Sequence, residues 1–166
     1  LNANRVDSAI DHFRKALLTL DSMADVHNNL GAALLRKSRH AEALAEYRRA
    51  AQIDPKMASA WNGIGQTYQQ WGKPADAIPN FEKAIALEPT RRVSRVNLGL
   101  CHAATDQLPD AVSQYETALK MQPDADVYGF LAQALARLGR RAEAEQAAAK
   151  SLQLNPGNAE ALEARR

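Results

Sequence analysis

Two places in this 166-residue chain hold residue types that do chemistry. Cys101-His102 sets a thiol beside an imidazole, the parts of a nucleophile and its base, and Gly63-Ile64-Gly65 has the glycine spacing with which a phosphate-cradling loop begins. Neither lies in the surroundings that its chemistry requires. Successive residues of a helix project about 100° apart, so Cys101 and His102 do not face one another, and a nucleotide loop follows a strand whereas Gly63-Ile64-Gly65 lies inside a helical apolar pattern. No His-Glu-x-x-His, Gly-x-x-x-x-Gly-Lys-Ser/Thr or Gly-x-Ser-x-Gly occurs. The four histidines have no metal-ligand spacing: His27 and His102 fall at packing positions, His12 and His40 at surface ones. The residues therefore read as a chain without catalytic groups, metal or cofactor, in which Trp61 and Trp71 are core aromatics.

What positions these residues is clearest in Ala58–Arg91. Trp61, Ile64, Gly65, Tyr68 and Trp71 recur at helical spacing; after Gly72-Lys73-Pro74, so do Ala77, Ile78, Phe81, Ala84 and Ile85. Glu88-Pro89 ends the second helix, since proline has no N–H to donate and disfavours helical dihedrals in the residue before it. Shifting this helix-turn-helix along the chain reproduces it. Gly31, Gly65, Gly99 and Ala132 form one column, Ala43, Ala77, Ala111 and Ala144 a second, and Tyr47, Phe81, Tyr115 and Ala148 a third, while prolines 55, 89, 123 and 156 are 34, 34 and 33 residues apart. A small residue in the first helix facing an alanine in the second lets two backbones approach, and the aromatic fills the space to the next pair. Neither amphipathic helix buries its stripe alone, so each pair calls for neighbours of its own kind.

These columns resemble the tetratricopeptide repeat, whose 34-residue signature runs Trp, Leu-Gly, Tyr, Ala, Phe, Ala, Pro; Ala58–Arg91 matches through Trp61, Ile64-Gly65, Tyr68, Ala77, Phe81, Ala84 and Pro89. The resemblance implies an all-α solenoid of antiparallel helix pairs, wound as a right-handed superhelix of about four and a half repeats, in one domain over 1–166. Residues 1–23 read as the second helix of a truncated repeat, with Ala9, Ile10, Phe13 and Ala16 in the columns and Asp21 where the proline would stand; 24–57, 58–91, 92–124 and 125–158 are repeats, and 159–166 starts a capping helix. Pro79 is expected to kink the second helix of its repeat. The helix from Arg140 to Asn155 has little to bury and reads as terminal.

In such a solenoid the first helices line a concave groove that takes a segment of a partner. The residues opposite each core stripe are then the candidates: Asn28, Asn29 and Arg36 in the first repeat; Asn62, Gln66 and Gln69 in the second; Val93, Val96, Asn97 and Leu100 in the third; Gln133 in the fourth. The amides offer donors and acceptors to a peptide backbone, whereas Val93, Val96 and Leu100 form an apolar stripe that either meets a partner or is covered by curvature. Arg91, Arg92 and Arg95 flank it, either to hold an acidic stretch or as a solvated edge. Two family patterns are incomplete. At the places of the clamp that grips a C-terminal carboxylate stand Asn28, Ala32, Gly63, Val93 and Asn97, which disfavours that binding mode, and an asparagine ladder resembling that of O-linked N-acetylglucosamine transferases keeps Asn29 and Asn97 but has Gly63 and Phe130 at its other rungs.

The whole-chain properties narrow the partners. A net charge of +2, from 21 basic and 19 acidic residues, provides no field for nucleic acid, and no apolar run reaches the roughly 18 residues of a membrane span. Cys101 alone makes no internal disulfide, which fits the cytoplasm better than the periplasm without deciding between them. Leu1 in place of methionine points to a processed product or a fragment. The expected function is a non-catalytic scaffold binding a protein or peptide segment; the alternative is the repeat region of a larger enzyme or export machine, such as a glycosyltransferase or an exopolysaccharide secretion protein. RNA recognition lacks its basic ladder. Weak self-association is expected through Ile10 and Phe13, on a helix with no preceding partner.

Overall fold

A proline follows every second helix but the first, and a left-handed residue closes the first helices, so the pairing is written into the turns. The computed structural model of the protein describes residues 3–17 and 23–164, apart from the side chains of residues 3 and 4; Asp21 lies outside them. Among the described residues there are helices and no strands: α1 (Ala3–Leu17), α2 (Ala24–Arg36), α3 (His40–Ile53), α4 (Ala58–Gln70), α5 (Pro74–Leu87), α6 (Arg92–Ala104), α7 (Leu108–Met121), α8 (Ala125–Arg137), α9 (Arg141–Leu154) and α10 (Ala159–Glu163). The turns after α2, α4, α6 and α8 each carry one residue of positive φ: Ser38 at 56°, Gly72 at 74°, Asp106 at 61° and Gly139 at 75°. That conformation lets the next N–H reach back five residues along the chain, as from Arg39 to Leu34 O at 3.0 Å and from Lys73 to Tyr68 O at 2.9 Å, capping carbonyls that the helix end leaves open.

The helices form two compact units, Leu1–Pro89 and Thr90–Arg166, and the boundary falls at a second-helix proline. In the first unit each helix packs on the next from α1 to α5, and α2 also touches α4. Its core is built from Ile10, Leu30, Leu34, Leu44, Tyr47 and Ile64, with Phe81 of α5 fully buried. Glycines of the first helices meet the aromatic rings of the second. A Cβ added to Gly65 would stand 2.8 Å from the Phe81 ring, and one on Gly31 3.0 Å from Tyr47, inside the ~3.5–4.0 Å at which carbon atoms pack. Gly63 is tighter still against Tyr47, whose ring is therefore held between its own repeat and the next. Burial pushes the Tyr47 hydroxyl up to about 12. α5 stays helical through Pro79; that proline is exposed, and the carbonyl it leaves without a donor belongs to the exposed Ala75, within reach of water.

In the second unit α6 to α9 pack in sequence, α6 also touches α8, and α10 lies on α8 and α9. A Cβ on Gly99 would stand 2.5 Å from Tyr115, the same interlock as in the first unit. α9 has no aromatic to offer and packs instead through small residues, Ala144, Ala147, Ala148 and Ser151, with Ser151 Oγ donating to Ala125 O at 2.6 Å. Asn158, 3% exposed, caps α10 by accepting from Ala161 N at 3.0 Å and donates to Asp126 Oδ1 at 2.9 Å. α10 approaches α8 so closely that a Cβ on Gly129 would lie 2.5 Å from Asn158 Oδ1.

Two sequence expectations need correcting. Trp71 is 41% exposed: as the C-cap of α4 it projects from the turn, where it stacks on His40 at 5.9 Å and lies under Lys73 Nζ at 4.2 Å. Ile10 is 2% exposed, because it faces α2 within the first unit's core and so presents no surface for self-association; Phe13 and Val6 are half-buried.

Candidate binding surfaces

In the first unit the candidates divide by depth. Asn29 and Arg36 are exposed on α2 and rim a hollow shared with α1. Asn28 is half-buried, and its Oδ1 is a buried acceptor with no hydrogen-bond donor on it. On α4, Gln66 and Gln69 are half-buried, whereas Asn62 is 8% exposed and engaged in an interaction of its own. The register explains the difference. Successive first helices touch along this face, so part of what stands opposite a helix's own core stripe is covered by its neighbour, and Leu35, 7% exposed, is drawn into the core the same way. Gly63 stands at the broken rung of the asparagine ladder because Tyr47 occupies the space of any side chain there.

In the second unit Val93 is 55% exposed, while Val96 and Leu100 are half-buried and pack on the unit's core. The apolar stripe divides: Val96 and Leu100 are partly covered, and Val93 stays exposed. Val93, Val96 and Asn97 of α6 line a cavity of about 210 Å³ opposite Val127 and Phe130 of α8, closed at one end by Arg92 and Asp124. Those two residues pair at 2.9 Å. Burial alone would raise the Asp124 carboxyl, but the hydrogen bond from Val127 N, the Arg92 guanidinium and the bond from Asp126 N together hold it below the usual carboxylate range. Asp124 thus caps α8 and is neutralised by Arg92, while Arg91 and Arg95 are half-buried and engaged. Gln133 is half-buried and donates to Glu163 Oε2 of α10 at 3.2 Å.

The Cys101-His102 pair has the geometry of packing. Cys101 is 1% exposed and burial pushes its thiol up to about 11, while His102 shares a 2.5 Å hydrogen bond with Gln107. His27 is buried against Glu46 at 2.6 Å. Among the described residues, no group of three or more His, Cys, Asp or Glu could hold a metal ion, and no helix is long and apolar enough to cross a membrane.

Sequence reasoning missed one recurring concavity. Between α3 and α5 a hollow of about 500 Å³ is floored by Trp61, Ile64 and Tyr68 of α4, and between α7 and α9 one of about 440 Å³ is floored by Tyr128, Leu131 and Leu135 of α8. The floors occupy equivalent columns. Trp61 and Tyr68 read as core because their spacing is apolar and helical, yet each is half-buried and uses its polar tip: Trp61 Nε1 donates to Pro55 O at 3.0 Å, and Tyr68 Oη accepts from Arg48 Nη2 at 2.7 Å.

Models of the tetratricopeptide repeat match residues 22–90, 69–134 and 125–158. YrrB, described as a tetratricopeptide repeat protein with an unusual peptide-binding site, superposes with a TM-score of 0.85 at 23% identity, over 98% of this chain and 84% of YrrB. MamA superposes at 0.85 with 22% identity over 89% of this chain and 87% of MamA. PilF of Pseudomonas aeruginosa superposes at 0.80 with 23% identity over 92% and 70% of the two chains. At these identities the likeness establishes the fold. No curated protein matches the chain.

Proposed function

This chain belongs to the tetratricopeptide repeat family, and from that premise we propose that it is a non-catalytic binding module whose first-helix faces hold an extended segment of another protein. The observation that carries the reading is Asn28, whose side-chain oxygen is buried without a donor. Such an acceptor costs about 1–3 kcal/mol, which a peptide N–H would offset once the half-buried amide turns its oxygen out to meet it. Gln66 and Gln69 add half-buried amides in the same unit, and in the other unit the cavity beside Val93 takes an apolar side chain. YrrB, a protein of the same fold, is described as having a peptide-binding site, which agrees with this use of the repeats.

The test begins with a random peptide library displayed and selected on the protein. The dissociation constant of a selected peptide is then measured for Asn28→Ala, Gln66→Ala and Val93→Glu, each with its far-ultraviolet circular dichroism confirmed. Weakening of tenfold or more by at least one variant in a unit assigns that unit's face to the peptide. Affinity unchanged in all three removes the proposal.

A further inference from the structure

The hollow between α3 and α5 lies inside the repeat array, with all three of the helices that form it in place. It is open because consecutive first helices touch, as α2 touches α4, whereas among the described residues α3 and α5 do not, and neither do α7 and α9 in the second unit. The gap over the aromatic floor is therefore a product of the repeat itself. What sets the hollow of the first unit apart is the charge on its α5 wall. In α3 and α9 the N-cap arginine closes on the glutamate three residues further on: Arg39 donates through Nε and Nη2 to Glu42 at 2.7 and 2.6 Å, and Arg140 does the same to Glu143 at 2.7 and 2.6 Å. The same columns of α5 hold Lys73 and Asp76. Lysine has no fork, aspartate is one methylene shorter than glutamate, and Lys73 Nζ lies instead over the Trp71 ring at 4.2 Å. Asp76 thus stands exposed on the wall of the hollow, its carboxylate without an ion pair among the described residues.

Pro79 adds a further acceptor to that wall, because the Ala75 carbonyl it leaves without a helical donor belongs to another lining residue. Both stand beside the floor rings of Trp61 and Tyr68, and among the described residues no cation lies over Trp61. The second unit covers its equivalent ring itself, with Lys150 Nζ 5.6 Å from the centroid of Tyr128; Lys83, in the column of Lys150, does not line the first hollow. The α3 wall is of opposite character: Arg48 Nη2 donates to Tyr68 Oη at 2.7 Å, and Gln52 lies beside it. Acceptors and an indole on one side and donors on the other match a residue with a cationic head and backbone carbonyls at its base. A guanidinium matches better than an ammonium, since it is planar, stacks on aromatic faces and offers five donors in a rigid fork to a carboxylate and a carbonyl together. We propose that this hollow takes an arginine side chain of a partner protein, its guanidinium on Trp61 and donating to Asp76 and the Ala75 carbonyl, its backbone carbonyls toward Arg48 and Gln52. The site is separate from the first-helix faces assigned to extended peptides and does not depend on them.

The probe is the capped peptide acetyl-Gly-Ala-Arg-Ala-Gly-amide, titrated into the whole chain at about 0.15 M salt, where loose charge attraction is screened, and followed through the nuclear magnetic resonance signal of the Trp61 indole N–H. Companion peptides carry citrulline, which keeps the shape without the charge, or lysine, which keeps the charge without the fork. The arginine peptide is expected to bind saturably, at least tenfold tighter than the citrulline peptide and threefold tighter than the lysine one. Asp76→Asn is expected to weaken it tenfold or more, and Pro79→Ala, which restores a donor to the Ala75 carbonyl, threefold or more. The Lys73→Arg/Asp76→Glu variant rebuilds the closed pair of α3 and α9 at unchanged net charge and is expected to weaken binding as much as Asp76→Asn does. Asn28→Ala and Val93→Glu are expected to leave it unchanged, which separates this site from the peptide-binding faces. No saturable binding, equal affinity for the citrulline or lysine peptide, or undiminished affinity in Asp76→Asn, Pro79→Ala or the rebuilt pair overturns the proposal.

Discussion

Gly63→Ala is the smallest change that tests how the repeats interlock. A Cβ at this position runs into Cε1, Cζ and Cδ1 of Tyr47, and the ring has little room to retreat because Gly31 also packs on it, where even an added Cβ would stand only 3.0 Å away. Tyr47 is 4% exposed and shares the first unit's core. Two effects of opposite sign compete. Replacing a helical glycine by alanine gains about 1 kcal/mol of helix propensity, and forcing a carbon into a packed core costs about 1–3 kcal/mol. The sum is a loss of roughly 0–2 kcal/mol, whereas at an uncrowded helical glycine the same substitution would be a gain. Tyr47→Leu keeps a large apolar side chain and removes Cε1 and Cζ, so in that background Gly63→Ala is expected to become stabilising. The assay is urea unfolding of the four proteins of the cycle, followed by circular dichroism, with the coupling energy as readout. A coupling of about 1–3 kcal/mol is expected; a value within about 0.5 kcal/mol of zero, or a Gly63→Ala protein more stable than its parent, refutes the interlock.

Three further outcomes follow from particular contacts. Ser38 holds φ 56° at a turn where Gly72 and Gly139 occupy the same column, so Ser38→Gly is expected to raise the urea midpoint, gaining at most about 1 kcal/mol as the left-handed strain is relieved against a more flexible unfolded chain. Asn158→Ala removes the α10 cap and the bond to Asp126; the expected cost is about 1–2 kcal/mol, seen as faster hydrogen exchange of the Ala161 amide. The carboxyl of Asp124 titrates lower in the folded protein than the 3.8 of a free aspartate side chain, so ionised Asp124 adds stability above that pH and the contribution disappears as pH falls through the folded pKa. Asp124→Asn, which keeps a capping oxygen, is therefore expected to lower the unfolding midpoint at pH 7 and to approach the parent progressively as the pH falls below 3.8.

The repeats could be read from the sequence because each column answers a local requirement: a glycine where a ring presses, a proline where a helix stops, a small residue where backbones meet. Those requirements recur every 34 residues or so and leave a phase. The binding face is harder to read because it is set by the neighbour. Asn62, Leu35 and Val96 lie opposite their own helix's core stripe, yet the next first helix and the unit's core take up part of that face. Trp71 follows the apolar spacing of α4 but falls one residue past its end, where the chain turns and the ring swings out. Trp61 and Tyr68 are apolar by pattern and amphipathic by contact, a distinction made only by the distance between consecutive second helices.

The central claim is that the first helices carry the peptide-binding surface. It is tested most directly by assigning the backbone amides and following them by nuclear magnetic resonance while a peptide selected from the display library is titrated in. The claim predicts shift changes concentrated on α2 and α4 in the first unit or on α6 and α8 in the second, with Asn28, Gln66, Val93 and Asn97 among the residues affected. Changes confined to the second helices, around the hollows floored by Trp61 or Tyr128, would contradict it.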